Sequence, residues 1–495
     1  MLVGKSLPEY VVIRIAIWAL RLIAPISLLY CVVVFIIQPR GASDHRWPLP
    51  LEIWMIAEAL FFLVVYLPLR AIVQEPANHP APPPKAEREK LIRKCFAHMR
   101  EPDLYLSKWF LGAPSAEIKR ENIKEFYAWS LMNKTYEQLD ESEFAELDNY
   151  TELLEERLGV QFEEGWGTAR PLRGTLDSVP IQHRPLVWYI IIFVVERYSS
   201  ILLLYNSFRF HRLPLTSSVA TFPPRLQSFS RSRSASRHVS YWYRKHTSKS
   251  RAPILFIHGI GIGMYAYVDF LVELNKTDLD PNRDGDVGII AIELMSISSR
   301  IGAAAPSAAE LREEIRKILN SHGWDNVVLV GHSYGSAVAA NMLRDTETAK
   351  YVKSAILMDP ICFMLHMPDV AYNFTRRKPS EANEHMLYYF SSTDMMISHT
   401  IARRFFWSEL VLFKDDLPPD MPLTVTLSGQ DLIVPTAAVW AYLTDDAPRQ
   451  VNHEDCEWEN DRLKVYWFEK FDHAGLFASK GARRGIAQVA RRHCE

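Results

Sequence analysis

The chain has 495 residues, which predicts roughly two to four structural units, and 48% of them are hydrophobic, enough for a large core. Its 56 Lys and Arg residues nearly balance its 58 Asp and Glu residues, and the formal net charge of -2 gives no indication of nucleic-acid binding. The five cysteines are scattered without Cys-x-x-Cys spacing, which excludes a disulfide framework, although pairing of Cys456 with Cys494 stays open.

The amino-terminal region is strongly apolar. Residues 10–37 carry only Arg14 and Arg21 as charged side chains, and about 20 apolar residues are enough for a helix to cross a bilayer. The run is longer than the apolar part of a signal peptide, and it ends in Gln-Pro-Arg at residues 38–40 rather than in the small residues of a cleavage site. We therefore predict an uncleaved membrane anchor.

A second apolar run, residues 51–69, completes an anchor region over residues 1–75. With the first run it forms either a hairpin of two transmembrane helices or one span beside a buried or interfacial helix. Both interpretations stay open, because Glu58 would lie near the middle of the second span, where a charge is costly. Residues 76–85 are rich in Pro and are predicted to form a stiff, extended linker.

Residues 86–212 are predicted to form a helical accessory region, in which we identify no catalytic chemistry. The region contains a third apolar run, residues 185–205, interrupted by Glu196 and Arg197. These adjacent charges are more typical of a packed or interfacial helix than of a free transmembrane span. Residues 213–238 are rich in Ser, Arg and Pro, and we expect an exposed, mobile linker there.

Residues 239–495 alternate between predicted strands and helices. Short apolar runs bounded by Gly, Asp or Pro are typical of strands buried on both faces of a parallel sheet. They lie at residues 253–257, 287–292, 327–330, 354–358 and 423–427. A capping box from Ser307 to Glu310 begins one of the intervening helices. This alternation predicts a doubly wound α/β domain with a mostly parallel sheet.

The strongest catalytic signal is the sequence Gly-His-Ser-Tyr-Gly at residues 331–335. It follows a predicted strand and precedes a helix-compatible run, which is the context that a nucleophile elbow requires. Gly331 and Gly335 remove the side chains that would clash in the sharp turn. Ser333 is therefore the candidate nucleophile.

A Gly-rich loop at residues 258–263 follows an earlier predicted strand. Acyl transfer places negative charge on a carbonyl oxygen, and backbone N–H groups must already face that oxygen. We expect the N–H groups of Tyr334 and Ile260 to form this oxyanion hole, while Gly259 and Gly261 let the backbone approach the substrate. A dinucleotide-binding loop is disfavoured, because the Gly-x-Gly-x-x-Gly spacing is missing.

Two later loops supply the candidate acid and base. Asp431, in a Gly-Gln-Asp turn after a late strand, is the candidate acid that orients the histidine, and Asp359 at the end of the preceding strand is the alternative. His473 follows the last predicted strand and completes the chain order Ser, Asp, His. It is the candidate general base, and His453 is a weaker alternative.

With these motifs, residues 239–495 resemble the α/β-hydrolase superfamily. The stretches HGIGIG (258–263), GHSYGS (331–336), SGQDLIVP (428–435) and FDHAGLF (471–477) match its oxyanion loop, elbow, acid turn and histidine loop. The whole chain further resembles uncharacterised fungal membrane-associated α/β-hydrolase proteins. The resemblance implies hydrolysis of ester, thioester or lipid acyl substrates without a metal or organic cofactor. The chain departs from it at Ala474, where many members have Gly directly after the histidine.

The superfamily often carries a lid at the position of an insertion between Asp359 and Pro418, and we predict a helical cap over residues 361–418. The insertion is rich in Phe, Tyr, Trp and Met. Most of these side chains are expected to form the cap's own core. Their excess favours an apolar acyl pocket and a lipophilic substrate.

The sequence thus predicts a membrane-anchored serine esterase or lipase-like hydrolase that works through an acyl-enzyme. An acyltransferase, a thioesterase of lipid or secondary-metabolite biosynthesis and a non-catalytic membrane scaffold are the alternatives. The expected partners are a lipophilic ester or acyl substrate and a membrane, with an endomembrane favoured over the plasma membrane. Sequons at Asn133, Asn149, Asn275 and Asn373 would be glycosylated only on a lumenal side.

Overall fold

The computed structural model describes residues 3–37, 48–99, 102–215, 220–276, 284–449 and 455–495. Within these ranges, nine strands form one sheet in the order β1-β2-β4-β3-β5-β6-β7-β9-β8. The strands are β1 (Arg209–His211), β2 (Ser240–Arg244), β3 (Ile254–Ile257), β4 (Ile289–Glu293), β5 (Val327–His332), β6 (Val352–Met358), β7 (Leu423–Ser428), β8 (Cys456–Glu459) and β9 (Leu463–Phe468).

The sheet is parallel in its centre and antiparallel at its edges. Strands β4, β3, β5, β6, β7 and β9 pair in parallel, whereas β1 with β2, β2 with β4, and β8 with β9 are antiparallel. The five apolar runs predicted as strands correspond to β3 through β7, and all residues of β3, β4, β5 and β7 are buried. Burial on both faces explains why these strands lack the polar alternation of a solvent-facing sheet. The predicted α/β architecture is confirmed.

Helices surround the sheet and extend beyond it. The amino-terminal and accessory helices are α1 (Leu7–Val32), α2 (Leu49–Leu60), α3 (Leu67–Ile72), α4 (Lys85–Ala97), α5 (Pro102–Trp109), α6 (Arg120–Met132), α7 (Glu141–Leu158) and α8 (Leu186–Tyr205). The helices that follow are α9 (Val268–Glu273), α10 (Ala308–Ser321), α11 (Tyr334–Arg344), α12 (Thr346–Ala349), α13 (Pro368–Thr375), α14 (Ala382–Leu387), α15 (Met395–Arg403), α16 (Trp407–Leu410), α17 (Thr436–Leu443), α18 (Gly475–Ala478) and α19 (Lys480–Cys494).

The two faces of the sheet bury different helices. Leu255 and Ile257 of β3 pack in one cluster with α10, α11 and the accessory helices, whereas Ile254 and Phe256 pack in another with α9 and α19. This division follows the two-residue period of a strand. Helix α10 begins at the predicted capping box, in which Ser307 accepts from the N–H of Glu310. The accessory helices α4 to α7 therefore share one core with the sheet.

The segment predicted as an exposed linker is partly buried. Arg225 and Gln227 are only 6% and 7% exposed, and Ser236 donates to the carboxylate of Glu314 across 2.5 Å. The expectation of a solvated connector does not hold for Arg225, Gln227 and Ser236, because these side chains have charged partners on neighbouring elements. The side chains of Arg231, Arg233 and Arg237 are exposed. The Pro-rich residues 76–84 contain no helix or strand before α4 begins.

In the part of the chain that the structure describes, three helices are long and apolar enough to cross a membrane. They comprise Leu7–Ile36, Leu49–Ile72, which joins α2 and α3 through a π-helical turn, and Leu186–Tyr205, with mean hydropathies of 2.3, 1.9 and 1.8. We call them the apolar helices. An apolar amino-terminal helix suited to anchoring the chain is thus present, as predicted. No disulfide links Cys456 and Cys494.

Candidate active site

Ser333 lies in a strained turn between β5 and α11. Its φ of 49° and ψ of -118° put a non-glycine residue in a rarely occupied region, as expected of a nucleophile elbow. A Cβ added to Gly335 would lie 2.2 Å from the carbonyl oxygen of Ile257, and one added to Gly331 would lie 2.9 Å from that of Gly335. A side chain at residue 335 would push the turn away from β3, and one at residue 331 would push β5 away from the start of α11.

The structure brings Ser333, His473 and Asp431 together. The Oγ atom of Ser333 lies 2.7 Å from Nε2 of His473, and Nδ1 of His473 lies 2.7 Å from Oδ2 of Asp431. The second carboxylate oxygen of Asp431 accepts hydrogen bonds from the N–H groups of Ile433 at 2.7 Å and Val434 at 2.9 Å. These backbone donors fix the carboxylate behind the imidazole. The alternative base, His453, lies outside the described residues.

The surroundings of His473 favour the protonated imidazole. Burial alone lowers its pKa, but the charge and hydrogen bond of Asp431 and the charges of Asp359 and Asp472 outweigh burial and raise the pKa to about 9. The proton accepted from a serine is therefore held strongly. The neutral ring that a general base requires becomes abundant only at alkaline pH.

Asp359, the alternative acid, bonds to the backbone beside His473 rather than to its ring. Its Oδ2 accepts from the N–H of Ala474 at 2.9 Å and lies 3.8 Å from Nε2 of His332. Burial raises the pKa of Asp359, but the nearby imidazole of His332 and the charge of His473 lower it by more, so the net shift is downward. Asp359 thus holds the backbone of the histidine loop in place.

The unusual Ala474 lies at this same contact. Its φ of 68° is in the left-handed region, which favours glycine. This conformation gives a physical reason for the Gly that many superfamily members carry after the histidine.

The ligand atoms of Asp359, Asp431 and His473 lie within 4.8 Å of one another, a spacing that could hold a metal ion. Each of them already has a hydrogen-bond partner within the chain.

The predicted oxyanion loop lies next to the nucleophile. Gly259 donates to the hydroxyl of Tyr267 at 3.0 Å, and Gly261 donates to the carbonyl of Ile297 at 3.1 Å. These bonds fix the loop on both sides of Ile260, whose own N–H has no acceptor among the described residues. Ile260 and Tyr334 both line the cavity that contains Ser333 and His473.

A polar network behind this loop was not predicted from the sequence. The hydroxyl of Tyr267 lies 2.8 Å from Nδ1 of His332, the residue before the nucleophile. A Cβ on Gly259 would lie 2.8 Å from the Cβ of Ser333 and 2.7 Å from that imidazole nitrogen. The network therefore ties the Gly-rich loop to the elbow at close range. The signal for it in the sequence is indirect and consists of the position of His332 inside the elbow motif.

An apolar cavity of about 140 Å³ adjoins Ser333 and His473. Cap residues such as Val370, Phe374, Phe405 and Trp407 line part of it. Other aromatic and Met residues of the cap, including Phe363 and Met396, are buried in its core, as expected.

The accessory region also contributes to the cavity, which the sequence analysis missed. Trp109, Trp129 and Leu172 line it, and the indole N–H of Trp129 donates to Thr175 at 2.9 Å. A signal existed in the nearly uninterrupted apolar run at residues 126–132. A helix that is apolar all round is buried, and such burial requires a close partner.

Comparison with known proteins supports the fold. Residues 254–491 match the model of the alpha/beta hydrolase family, whereas no curated protein matches the sequence significantly. Similar solved structures include a bacterial membrane phospholipase A, which is 12% identical and has a TM-score of 0.38 over 61% of this chain and 93% of its own. A serine hydrolase from Cycloclasticus zankles is 14% identical, with a TM-score of 0.33 over 51% of this chain and 94% of its own.

A haloalkane dehalogenase from Bradyrhizobium elkani is 12% identical, with a TM-score of 0.35 over 52% of this chain and 96% of its own. Likenesses this distant carry no argument about substrate. The resemblance to fungal membrane-associated proteins stays a prediction. The order of the sheet and the family match together show that residues 254–491 have the α/β-hydrolase fold.

Proposed function

We propose that the chain is a serine hydrolase that cleaves a carboxylic ester of a lipophilic substrate through an acyl-enzyme. One observation carries the proposal. A serine hydroxyl lies 2.7 Å from an imidazole whose other nitrogen lies 2.7 Å from a carboxylate with no exposed side-chain surface. This is the arrangement by which an otherwise weak hydroxyl becomes a nucleophile.

In the first step, Oγ of Ser333 attacks the ester carbonyl carbon while Nε2 of His473 accepts the hydroxyl proton. The N–H groups of Ile260 and Tyr334 stabilise the oxyanion of the tetrahedral intermediate. Asp431 stabilises the imidazolium. His473 then donates its proton to the leaving alcohol oxygen, and the bond between carbon and that oxygen breaks to leave the acyl group on Ser333.

In the second step, water replaces the alcohol. The water oxygen attacks the acyl carbon while His473 accepts a proton from the water, and the same N–H groups stabilise the second oxyanion. The bond between the acyl carbon and Oγ of Ser333 then breaks. The carboxylic acid leaves, and His473 returns the proton to Oγ. The chain supplies every group that these steps require.

The shape and polarity of the cavity support an aliphatic acyl chain as the substrate's buried part. Half of the 26 residues that line it are Leu, Ile, Val, Phe or Trp, and its volume is about 140 Å³. Apolar walls favour the burial of methylene groups, by about 0.8 kcal/mol for each one. A slender chain fits such a space better than a bulky polar group.

The proposal is tested with a fluorophosphonate probe and with a series of p-nitrophenyl esters of increasing acyl length. The wild-type chain should be labelled and should hydrolyse the esters, whereas Ser333→Ala should do neither. Ser142→Ala, which removes an exposed hydroxyl, is the matched control. Labelling that survives in Ser333→Ala would disprove the nucleophile. A wild-type chain that neither reacts with the probe nor hydrolyses any ester would instead support a non-catalytic scaffold.

We further propose that the chain resides on an endomembrane. The exposed apolar helices support membrane association, because so much apolar surface is unfavourable in water. Co-sedimentation of the tagged protein with an endoplasmic-reticulum marker after cell fractionation is expected. Co-sedimentation with a plasma-membrane marker would overturn this location.

A further inference from the structure

One face of helix α8 is buried against the protein, and the opposite face is exposed and apolar. The inner face is buried and comprises Trp188, Tyr189, Ile192, Glu196, Ser199, Ser200 and Leu203. The outer face is apolar and between 43% and 65% exposed, and it comprises Ile190, Ile191, Val194, Tyr198, Ile201 and Leu204. Both sets recur every three or four residues over the whole helix. The folded domain therefore covers α8 along its length and not only at one end.

The middle of α8 is ion-paired to two buried arginines, one in the segment before β2 and one after β4. Glu196 lies 3.1 Å from Nη2 of Arg225 and 3.2 Å from Nη2 of Arg300, and these side chains are 5% and 2% exposed. Arg225 also pairs with Glu293 at the end of β4, across 2.9 Å. The remaining charge of the helix, Arg197, pairs with Glu196 at 2.7 Å. Helix α8 is thus fixed to the domain at its centre.

These contacts are incompatible with α8 as a transmembrane span. In a spanning helix, Glu196 would lie near the middle of the bilayer. The segments that carry Arg225 and Arg300 would then lie in hydrocarbon, where charged side chains and irregular backbone are costly. An orientation parallel to the membrane removes this conflict, because the inner face stays on the protein while the outer face contacts lipid.

A second apolar helix packs against the inner face of α8, and we call the exposed apolar side chains of the two helices the joint surface. The rings of Phe61 and Tyr189 lie 5.5 Å apart and join α8 to the helix Leu49–Ile72. That helix in turn exposes Leu60, Leu63 and Val64, by 49% to 67%. Mean hydropathies of 1.8 and 1.9 are typical of lipid contact. The occupant that fits this joint surface is the hydrocarbon of one bilayer leaflet.

The start of α8 adjoins the edge of the catalytic cavity. Trp188 packs on Phe390 with ring centroids 5.0 Å apart, and Ser391 and Ser392 directly after it line the cavity. The segment that leads into α8 carries the exposed cavity residue Ser178. The cavity thus has an exposed lining residue in the segment that leads into α8 and two further lining residues beside the ring that packs on Trp188.

We propose that α8 lies in the plane of the membrane with its outer face in one leaflet, and that the cavity takes its lipid ester directly from that leaflet. Entry of the lipid ester from the leaflet rests on the proposed hydrolase function. The orientation of α8 does not rest on it, and this orientation is tested without measuring activity.

The orientation is tested by attaching a nitroxide at Ile190→Cys, Val194→Cys, Ile201→Cys or Leu204→Cys in full-length Ser333→Ala protein in phosphatidylcholine vesicles. Depth is measured from relaxation by oxygen and by a water-soluble nickel complex. We expect all four labels at nearly the same depth. If α8 crossed the membrane, the labels at residues 190 and 204 would differ in depth by about 21 Å, since a helix rises 1.5 Å per residue. A difference of that size would overturn the proposal. Val160→Cys, an exposed apolar position of the accessory region, should report water.

Labels shielded from both relaxation agents would show a protein partner on the outer face and would also overturn the proposal.

Substrate entry is tested by comparing the turnover of a long-chain ester in vesicles with the turnover of a water-soluble short-chain ester. In the double variant Val194→Glu/Ile201→Glu, the ratio of vesicle to soluble turnover should fall at least about tenfold. An unchanged ratio would disprove entry from the leaflet, whereas fluorophosphonate labelling of the same variant reports separately on the hydrolase function.

Discussion

Two carboxylates lie beside His473, but they bond to different atoms. Asp431 accepts from the imidazole, whereas Asp359 accepts from the backbone N–H of Ala474. Asp431→Asn should therefore lower kcat by about 10⁴-fold, because the ring loses the charge that orients and stabilises it. Asp359→Asn should cost much less. Ester hydrolysis by the two purified variants provides the comparison, and the reverse order would make Asp359 the catalytic acid.

The pKa of His473 predicts a strongly alkaline pH profile. Below about 9 the imidazole carries a proton and cannot accept another from Ser333. Measured kcat/KM should therefore rise with pH through the neutral range, with a midpoint well above the usual value for histidine. In Asp431→Asn the midpoint should move down, since the carboxylate charge that raises it is gone. A midpoint near 6.5 in both proteins would contradict this account.

The residues of the site could be identified from the sequence because each of them follows a predicted strand. Strands β5, β7 and β9 run parallel and end at one edge of the sheet, so Ser333, Asp431 and His473 had to lie close together. Strand β6 ends at the same edge. Sequence alone could not separate Asp359 from Asp431, because the choice depends on side-chain direction and not on strand position.

At the scale of elements, α6 sets one limit of the acyl cavity. Trp129 is 6% exposed and lines the cavity, so Trp129→Leu should enlarge it and shift the preferred ester toward longer acyl chains. The free energy of unfolding should fall, by less than the ~3–5 kcal/mol typical of truncating a buried Trp to Ala. Acyl-length profiles and chemical unfolding measure the two effects.

Trp166→Leu is the matched control for this variant. Its indole is 52% exposed and lies in the same accessory region, so neither the acyl-length profile nor the stability should change. A Trp129→Leu profile identical to wild type would show that the acyl chain does not reach α6.

The positions of the strands were easier to predict from the sequence than the packing partners of residues far apart in the chain. Apolar runs revealed β3 to β7, because a strand buried on both faces is apolar at most positions. The burial of Arg225 and Gln227 was not predicted, because such side chains are usually exposed and their partners Glu196 and Glu293 lie far away in sequence. Likewise, helical periodicity does not reveal which cavity α6 will line.

At the scale of the whole molecule, the sequons discriminate between the two sides of the membrane. Asn149 is exposed, whereas Asn275 is 6% exposed and its amide exchanges hydrogen bonds of 2.9 and 3.0 Å with the backbone of Val287. If the catalytic domain is lumenal, an endoglycosidase should produce a mobility shift that is smaller in Asn149→Gln. If it is cytosolic, no shift is expected. A glycan found on Asn275 by mass spectrometry would contradict the fold.

The contribution of Trp109, Trp129 and Leu172 to the cavity wall has a practical consequence. Recombinant work often trims a protein to the segment that a family model recognises, which here begins at residue 254. Such a minimal fragment would retain Ser333, but it would lack β1, β2 and the accessory helices that share one core with the sheet. Boundaries drawn from the family match alone would therefore cut through the hydrophobic core, and expression of the whole chain from β1 and the accessory helices onward is required to preserve the cavity.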